Sequence, residues 1–545
     1  MATSFEKSES NEALRERSEV LSDGDERDEA HYLSGWPLGF LMIALMASSF
    51  MLALDNTILA TAIPEITSDF NSLNDIGWYG SAYLITQMSL LPTCGRIYTF
   101  LNVKYTYISA LLIFEIGSIV CAASLNSVAL IVGRAIAGGG AAVLVSGAVV
   151  IINYCVELKS RALLMGCLSA VYGTASVTGP LIGGVITDNK TLTWRFCFRI
   201  NLPFGAIAIG LICWTLKKTP PAAKAGLPSK EKIKQLNLLG ALFLVAATTC
   251  LLLALQWGGI VYHWSDSRVY GCLIGFILLV TVFICLQFRL KGNSTISLHI
   301  FQSRTMCAAC GFMTFNQLAV VAQIYYWPIY LQSVRNTSAR TSGLYTLPLI
   351  VSCTICTLSV GWIISCVGYY VPFMWSGAPV LATGSGLFLL ITTHAPAWRW
   401  VLPQIISGIG YGLCTQIPLL SVQVVLEKAD VPTGCVMVLF FQCLGGALAT
   451  SISQNLFTDT LLRRLGGIDG LHPAAIVEAG ARDFRNFIVS DHVLESVIEA
   501  FVKALRNVFI LAMASAALAL LASLMMEWRR LPRKKKGAPT PRGGV

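Results

Sequence analysis

LALDNTILATAIPEI, residues 52–66, places a carboxylate, Asp55, in the interior of an otherwise apolar run. The run begins near residue 38 and extends to about 61, long enough to cross a bilayer at about 1.5 Å per residue. A charge at the centre of such a helix costs at least about 2.5–3.5 kcal/mol, so Asp55 marks a functional position by default. The fold class and the first candidate residue both follow from this stretch.

The rest of the chain extends the pattern. Of 545 residues, 55% are hydrophobic and 12% charged, with mean hydropathy +0.66. Soluble domains carry roughly twice that charge density. Apolar segments of about 20 residues recur where a membrane barrel would show alternating segments of about ten. The composition thus predicts an all-α polytopic membrane protein.

Apolar windows predict fourteen spans, near 38–61, 77–97, 105–124, 128–150, 163–187, 198–216, 237–256, 269–288, 307–331, 343–365, 371–393, 401–425, 434–457 and 507–526. Grouped by connecting segments, they give a disordered cytoplasmic tail (1–36), an N-terminal six-helix bundle (37–216), a cytoplasmic linker (217–236), two additional spans (237–288) and a cytoplasmic loop (289–306). A C-terminal six-helix bundle (307–526) with a long outer loop (458–506) and a basic cytoplasmic tail (527–545) complete the chain. Within the outer loop, PAAIVEAGARDFRNFIV suggests a short interfacial helix.

Positive charge orients these spans. With the N-terminus inside, Arg96, Lys104, Lys159, Arg161, Arg289, Lys291 and the lysine-rich linker are cytoplasmic, whereas the first outer loop, EITSDFNSLNDIG, is acidic without a basic residue. Both termini come out cytoplasmic. The sequons at Asn189 and Asn336 fall outside as glycosylation candidates, and that at Asn293 falls inside. The first 35 residues lack the apolar core of a cleaved signal peptide.

The 39 basic against 29 acidic residues reflect cytoplasmic loops and tails; no nucleic-acid motif accompanies them. The 17 cysteines are scattered through apolar runs without metal-ligand spacing, so they read as small hydrophobes; no metal or other cofactor is expected. Walker loops, kinase signatures and nucleophile elbows are absent, which disfavours an ATP-driven pump or an enzyme.

A ten-residue scheme occurs twice. GRIYTFLNVK follows the second span and GWIISCVGYY the tenth, aligning Gly95, Thr99 and Asn102 with Gly361, Ser365 and Gly368. A separation of eight spans fits two parallel six-span repeats with two spans inserted between them, an architecture of secondary transporters.

Glu115 in the third span and Arg134 in the fourth join Asp55 as intramembrane charges. Helix rise puts all three roughly 10–15 Å below the outer surface. One arginine between two carboxylates could keep one ionised while the other titrates, which makes Asp55, Glu115 and Arg134 proton-coupling candidates. A fixed ion pair that only locks helices together is the competing reading. The C-terminal spans carry no Asp, Glu or Lys at their centres and offer amides and aromatics instead. Asn316, Gln317, Gln323, Tyr326, Gln416 and Gln442 are the substrate-binding candidates for a bulky, mostly apolar molecule; bonding between neighbouring helices is the alternative. The glycine runs AIAGGGAA (135–142) and GTASVTGPLIGG (173–184) indicate close helix contacts, with Pro180 bending the fifth span.

These motifs resemble the 14-span drug:proton antiporter branch of the major facilitator superfamily, in the style of its fungal toxin and multidrug efflux pumps. LDNTILATAIPEI is similar to the first-span motif of that branch, and Arg134 with Gly138 and Gly140 to its fourth-span motif. GTASVTGPLIGGVI, with Gly173, Gly179, Pro180, Gly183 and Gly184, is similar to the antiporter motif of the fifth span. WRFCFRINLPFG and DVPTGCVMVLFFQCLGGALATS match two further segments. The resemblance covers about residues 38–526. It departs from the pattern at Thr99 and Asn102, where the inner-loop motif has an acid and a glycine, at Arg199, and near Tyr345.

The resemblance implies proton-coupled efflux of a hydrophobic toxin, metabolite or drug by alternating access. Asp55 would carry or relay the proton, Arg134 would couple its state to helix movement, and the glycines would let the halves rock. The partners implied are a small-molecule substrate, protons and the lipid bilayer, in a monomer at the plasma membrane. The competing readings are a vacuolar or plasma-membrane transporter of siderophore-iron or basic amino acids, and a non-transporting membrane sensor. Retention of Asp55 and Arg134 argues against the sensor.

Overall fold

The computed structural model describes residues 33–70, 75–187, 193–216, 228, 238–259, 262–289, 298–337, 339–393, 396–427, 430–468, 485 and 491–531. Asn189, Asn293, most of the linker 217–236, the ends of both tails and nearly all of PAAIVEAGARDFRNFIV lie outside the described residues. Among the described residues there is no β-strand, and the architecture is all-helical.

The long helices are α1 (Trp36–Phe70), α2 (Ile76–Phe100), α3 (Val103–Ala122), α4 (Ser127–Cys155), α5 (Leu158–Thr187), α6 (Asn201–Thr215), α7 (Leu238–Trp257) and α8 (Ser267–Arg289). They continue with α9 (Arg304–Ile329), α10 (Leu347–Val367), α11 (Val371–Leu387), α12 (Ala397–Cys414), α13 (Val431–Leu465) and α14 (Asp491–Leu524). A single turn, Phe196–Arg199, precedes α6, and a further short helix, Ile417–Val425, continues α12 after a break at 415–416. Among the described residues, twelve helices are long and apolar enough to cross a membrane; they include all of these except α2 and α5. Those two helices are 25 and 30 residues long.

The helix pairings repeat with a shift of eight. Contacts α1–α5, α2–α4, α3–α4, α3–α6 and α1–α6 in the first half recur as α9–α13, α10–α12, α11–α12, α11–α14 and α9–α14 in the second. The halves meet through the matching pairs α2–α13 and α10–α5. This is the parallel repeat suggested by the two ten-residue segments. Each segment plays the same local part. Thr99 Oγ1 donates to Gly95 O at 3.3 Å and Ser365 Oγ to Gly361 O at 2.8 Å. Asn102 then caps α3 by accepting from the Lys104 amide, and Gly368, with φ +81°, ends α10.

The two glycines explain why the seam is tight. A Cβ on Gly95 would stand 3.1 Å from Thr433 Cα of α13, and one on Gly361 would stand 2.8 Å from Leu163 Cα of α5. Asn153 and Arg161 add hydrogen bonds across this end, to Cys435 Sγ at 3.8 Å and Gln423 Oε1 at 3.4 Å. We call it the basal end. There a single buried core joins both halves, running from Val150, Ile151 and Met165 to Leu419, Leu420 and Val436. At the opposite, apical end the cores are separate. Leu54, Ile58, Tyr79 and Phe198 form one, and Trp327, Phe388, Phe457 and Phe509 belong to the other. The molecule is closed at its base and divided above.

Helix α7 packs along the side of the seam. Ser89 of α2 meets Thr248 at 2.5 Å, and Ser451 of α13 donates to Leu255 O at 2.5 Å. α8 packs on α7 and presents Ile274, Ile277, Leu278 and Phe288 outward, as a lipid-facing helix does.

The segment expected as a long outer loop, 458–506, is partly helical: α13 runs on to Leu465 and α14 begins at Asp491. The apolar stripe simply continues. Val497, Ala500, Phe501, Ala504 and Val508 are buried at helical spacing against Phe457, Leu461 and Leu465. Glu499 and Lys503, paired at 2.7 Å on the outer face, lower the average hydropathy and conceal the helix from a window reading.

Candidate functional site

The fourth helix carries Arg134 about two turns inside its start, where Asn126 caps it by accepting from the Ala129 amide at 2.8 Å. Gly138 and Gly140 are needed one and two turns further on. A Cβ at Gly138 would overlap Thr86 and the Tyr83 carbonyl of α2, and one at Gly140 would lie 2.7 Å from the Phe114 amide of α3. With side chains at those positions α4 could not approach α2 and α3, and overpacking of this kind costs about 1–3 kcal/mol.

That approach buries Arg134 almost completely, at 1% exposure, against Asp55 at 0%. Arg134 Nη1 donates to Asp55 Oδ2 at 2.5 Å, and its Nε donates to the Tyr79 carbonyl at 3.0 Å. Its guanidinium also lies over the Tyr83 ring, 4.5 Å from the centroid. Asn201, the first residue of α6 and fully buried, donates to Asp55 Oδ1 at 3.0 Å and to Ser118 Oγ at 3.2 Å. Asp55 therefore has a donor on each oxygen, and one carboxylate ties α1 to α4 and α6. An isolated charge here would be prohibitively costly, whereas a paired and hydrogen-bonded one is tolerated.

Glu115 is close by but is not a partner of Arg134. Ser118 lies one turn further along α3 and meets Asn201; Glu115 faces Gly205, one turn beyond Asn201 on α6. Neither Glu115 carboxyl oxygen has a hydrogen-bond partner among the described residues, nor does Asn201 Oδ1. The expected arrangement of one arginine between two carboxylates is thus replaced by an Asp55–Arg134 pair with Glu115 a turn to the side. Asn201, Tyr79, Tyr83 and Ser118 were not singled out from sequence. Asn201 stands in the quoted WRFCFRINLPFG segment, the one signal that could have pointed to it.

The apical ends are pinned over this cluster. Asp69 accepts from Trp194 Nε1 at 3.1 Å and from Arg195 Nη1 at 3.0 Å, and Ser127 Oγ donates to Asp75 at 2.5 Å. Gly179 of α5 faces Thr57 of α1 with no room for a side chain, whereas a Cβ on Gly173 would stand 3.7 Å from Ile350 of α10, an ordinary contact. Gly183 is buried in the same helix; Pro180 and Gly184 lie in α5, with side chains outside the described set.

The C-terminal candidates separate into three groups. Asn316 and Gln323 are fully buried between helices: Cys414 Sγ donates to Asn316 Oδ1 at 3.5 Å, and Gln323 Nε2 donates to Ser385 Oγ at 2.6 Å. Tyr326 donates to Gln454 Oε1 at 3.0 Å and is likewise interior. Gln416, at the break in α12, donates to Ser169 Oγ of α5 and so spans the two halves. Gln317 and Gln442 are half-buried and share one network, in which Gln317 Oε1 accepts from Tyr411 Oη at 3.2 Å and from Gln442 Nε2 at 3.5 Å. Tyr172 of the first half is 44% exposed and lies within electrostatic reach of Tyr325 and Tyr411 of the second. Asn336 is exposed, just past the π-helical turn Tyr330–Val334 that follows α9, with φ +53°.

The sequence profile described as Major Facilitator Superfamily matches residues 45–450. The MFS-type transporter ltbE of Aspergillus luteorubrus is 57% identical over 520 residues, which cover 95% of each chain. The rubrofusarin-specific efflux pump aurT of Gibberella zeae is 39% identical over 504 residues, 92% of each chain. The MFS-type efflux pump MFS1 of Trichophyton rubrum is 38% identical over 512 residues, 94% of this chain and 95% of that one. Among solved structures, the proton:xylose symporter XylE superposes with a TM-score of 0.57 at 12% identity, covering 87% of this chain and 95% of that one.

Proposed function

The chain belongs to the major facilitator superfamily, as a secondary transporter and not an enzyme, and from that premise we propose that it exports a hydrophobic small molecule in exchange for protons. The observation that carries the reading is the Asp55–Arg134 pair, a titratable group buried in apolar surroundings at the junction of α1, α4 and α6. The efflux pumps among its relatives support export, and one is named as specific for rubrofusarin.

In this reading α2 and α5 also cross the bilayer, giving fourteen spans, and the basal end faces the cytoplasm, where charge bias puts both termini. The closed base and separate apical cores then correspond to an outward-facing state. A proton arriving from outside neutralises Asp55 and weakens its hold on Arg134. Because Arg134 also grips α2 through the Tyr79 carbonyl and the Tyr83 ring, losing that anchor changes how α1 and α2 pack. Asn56, next to Asp55, lies beside the side chains of both Tyr83 and Tyr172, which links the pair to the apical division between the two halves, the central cleft of this reading. Proton entry and substrate departure thereby favour the same transition, and the glycine-lined seams at Gly95 and Gly361 are where the base would part. Glu115 is the secondary candidate for a proton. The protein acts as a monomer in the plasma membrane, with Asn336 as a glycan acceptor.

The test is efflux of a panel of lipophilic dyes and toxins from pump-deficient yeast expressing the chain, with and without a protonophore. Gradient-driven export stops when the protonophore is added. Export that survives collapse of the gradient refutes the proposal.

A further inference from the structure

Resting on the export reading above, we infer that the central cleft is built for an uncharged, planar aromatic molecule bearing a hydroxyl and a ring carbonyl along one edge. Three observations support it. First, phenol rings face the cleft from both halves. Tyr172 of α5, 44% exposed, lies within electrostatic reach of Tyr325 of α9, 60% exposed, and of Tyr411 of α12. Aromatic rings from opposite walls suit a flat apolar molecule held between them, with ring-on-ring contacts worth about 0.5–1.5 kcal/mol beyond the buried area.

Second, the intramembrane charges of the N-terminal half are withheld from the cleft. Asp55 and Arg134 are at most 1% exposed and neutralise one another, and Glu115, 9% exposed, is turned toward Gly205 of α6. The centres of the C-terminal spans contribute no acid or lysine. A cation or anion enclosed between these walls would lose its hydration without gaining a counter-charge. The lack of an available counter-charge among the described residues selects against ions of either sign.

Third, the amides are half used. Gln317 Oε1 takes both of its available donors, from Tyr411 and Gln442. In this orientation Gln317 Nε2 remains as a donor and Gln442 Oε1 as an acceptor, neither with a partner among the described residues. A ligand that meets both must present an acceptor and a donor side by side. A ring carbonyl and a neutral phenolic hydroxyl on one edge do so in a rigid frame, whereas two flexible groups would have to be ordered on binding. Gln442 and Gln317 are therefore assigned as specificity-determining residues, and Asn316 and Gln323, whose amides bond neighbouring helices, are not.

The experiment measures binding to the purified full-length protein at pH 6, by quenching of its tryptophan fluorescence, for four probes: 6-hydroxyflavone, 6-methoxyflavone, flavone and rhodamine 6G. We expect 6-hydroxyflavone to bind about tenfold more tightly than 6-methoxyflavone, the difference one satisfied hydrogen bond supplies, and more tightly than the cationic dye. In Gln442→Met the tenfold difference closes while flavone binds as before; Gln317→Met, read the same way, weakens all three flavones that offer the carbonyl. Retention of flavone binding in Gln442→Met shows that this variant is folded. Equal affinities for the hydroxy and methoxy probes, tighter binding of rhodamine 6G, or failure of all three flavones to bind overturns the inference. Gradient-driven, Asp55-dependent efflux of rhodamine 6G without flavone binding would overturn this substrate class and leave the antiporter reading standing.

Discussion

Replacing Asp55 by asparagine is expected to abolish uphill export while leaving exchange of substrate across the membrane in place. Asparagine keeps the shape of the side chain and still offers Oδ1 to Arg134, so the cluster of α1, α4 and α6 can form. What it removes is the titratable charge. The substitution also leaves the Arg134 guanidinium without a counter-charge, held by the Tyr79 carbonyl, the Tyr83 ring and the new amide oxygen. A folded protein should be recovered, with an unfolding temperature lowered by a cost approaching that of a broken buried pair, about 3–5 kcal/mol. Vesicles carrying the variant, preloaded with a transported dye, should exchange labelled for unlabelled dye but fail to concentrate it when a pH gradient is imposed. Wild-type protein should do both. Loss of both activities with intact folding would make Asp55 a structural residue. Retention of both would move the proton elsewhere, with Glu115 the next to test.

The second large effect concerns Arg134, and here stability is the readout. Arg134→Leu removes the counter-charge but leaves Asp55 at 0% exposure with Asn201 as its remaining donor among the described residues. An unpaired carboxylate in such a place is destabilising by about 3–5 kcal/mol. The variant should accumulate poorly in membranes and unfold at a markedly lower temperature. Adding Asp55→Asn to it removes the stranded charge, so the double variant should recover much of the lost stability without recovering transport. Arg134→Lys is informative in a different way. It keeps the charge but loses the planar fork that reaches Asp55 and the Tyr79 carbonyl together, and it should be stable but slow. If Arg134→Leu and the double variant unfold at the same temperature, the pair is not the electrostatic unit described above.

How much of this was legible in the sequence depends on which physical signal a residue carries. Asp55 and Arg134 were visible because a charge in hydrocarbon is costly wherever it points, and burial merely makes the cost concrete. Glu115 was visible for the same reason, but its partner was not. Depth along a helix follows from residue rise, whereas the direction of a side chain around the axis decides who meets whom, and Glu115 turns toward Gly205. Asn201 was missed because a neutral amide at the start of a span looks like a cap. The repeat was legible at Gly95 and Gly361, since close helix approach leaves glycine as its trace. The amides of α9, α12 and α13 could not be sorted in advance: in a membrane protein the walls of a cleft and the contacts between helices are both apolar with scattered amides, so no periodicity separates Gln317 from Gln323. The far ends of α13 and α14 were hidden by charged residues on their exposed face, although the buried stripe through Val497, Phe501 and Val508 is regular.

Proton movement against the transported compound is the most direct sign of coupled export. Purified protein should be reconstituted in vesicles containing a pH-sensitive dye, a transported compound from the efflux panel should be supplied on the cytoplasmic side, and internal and external pH should be followed as it moves. Wild-type protein should carry protons in the direction opposite to the compound, and the Asp55→Asn variant should carry none. Transport of the compound by wild-type protein with no accompanying change in pH would contradict the central claim.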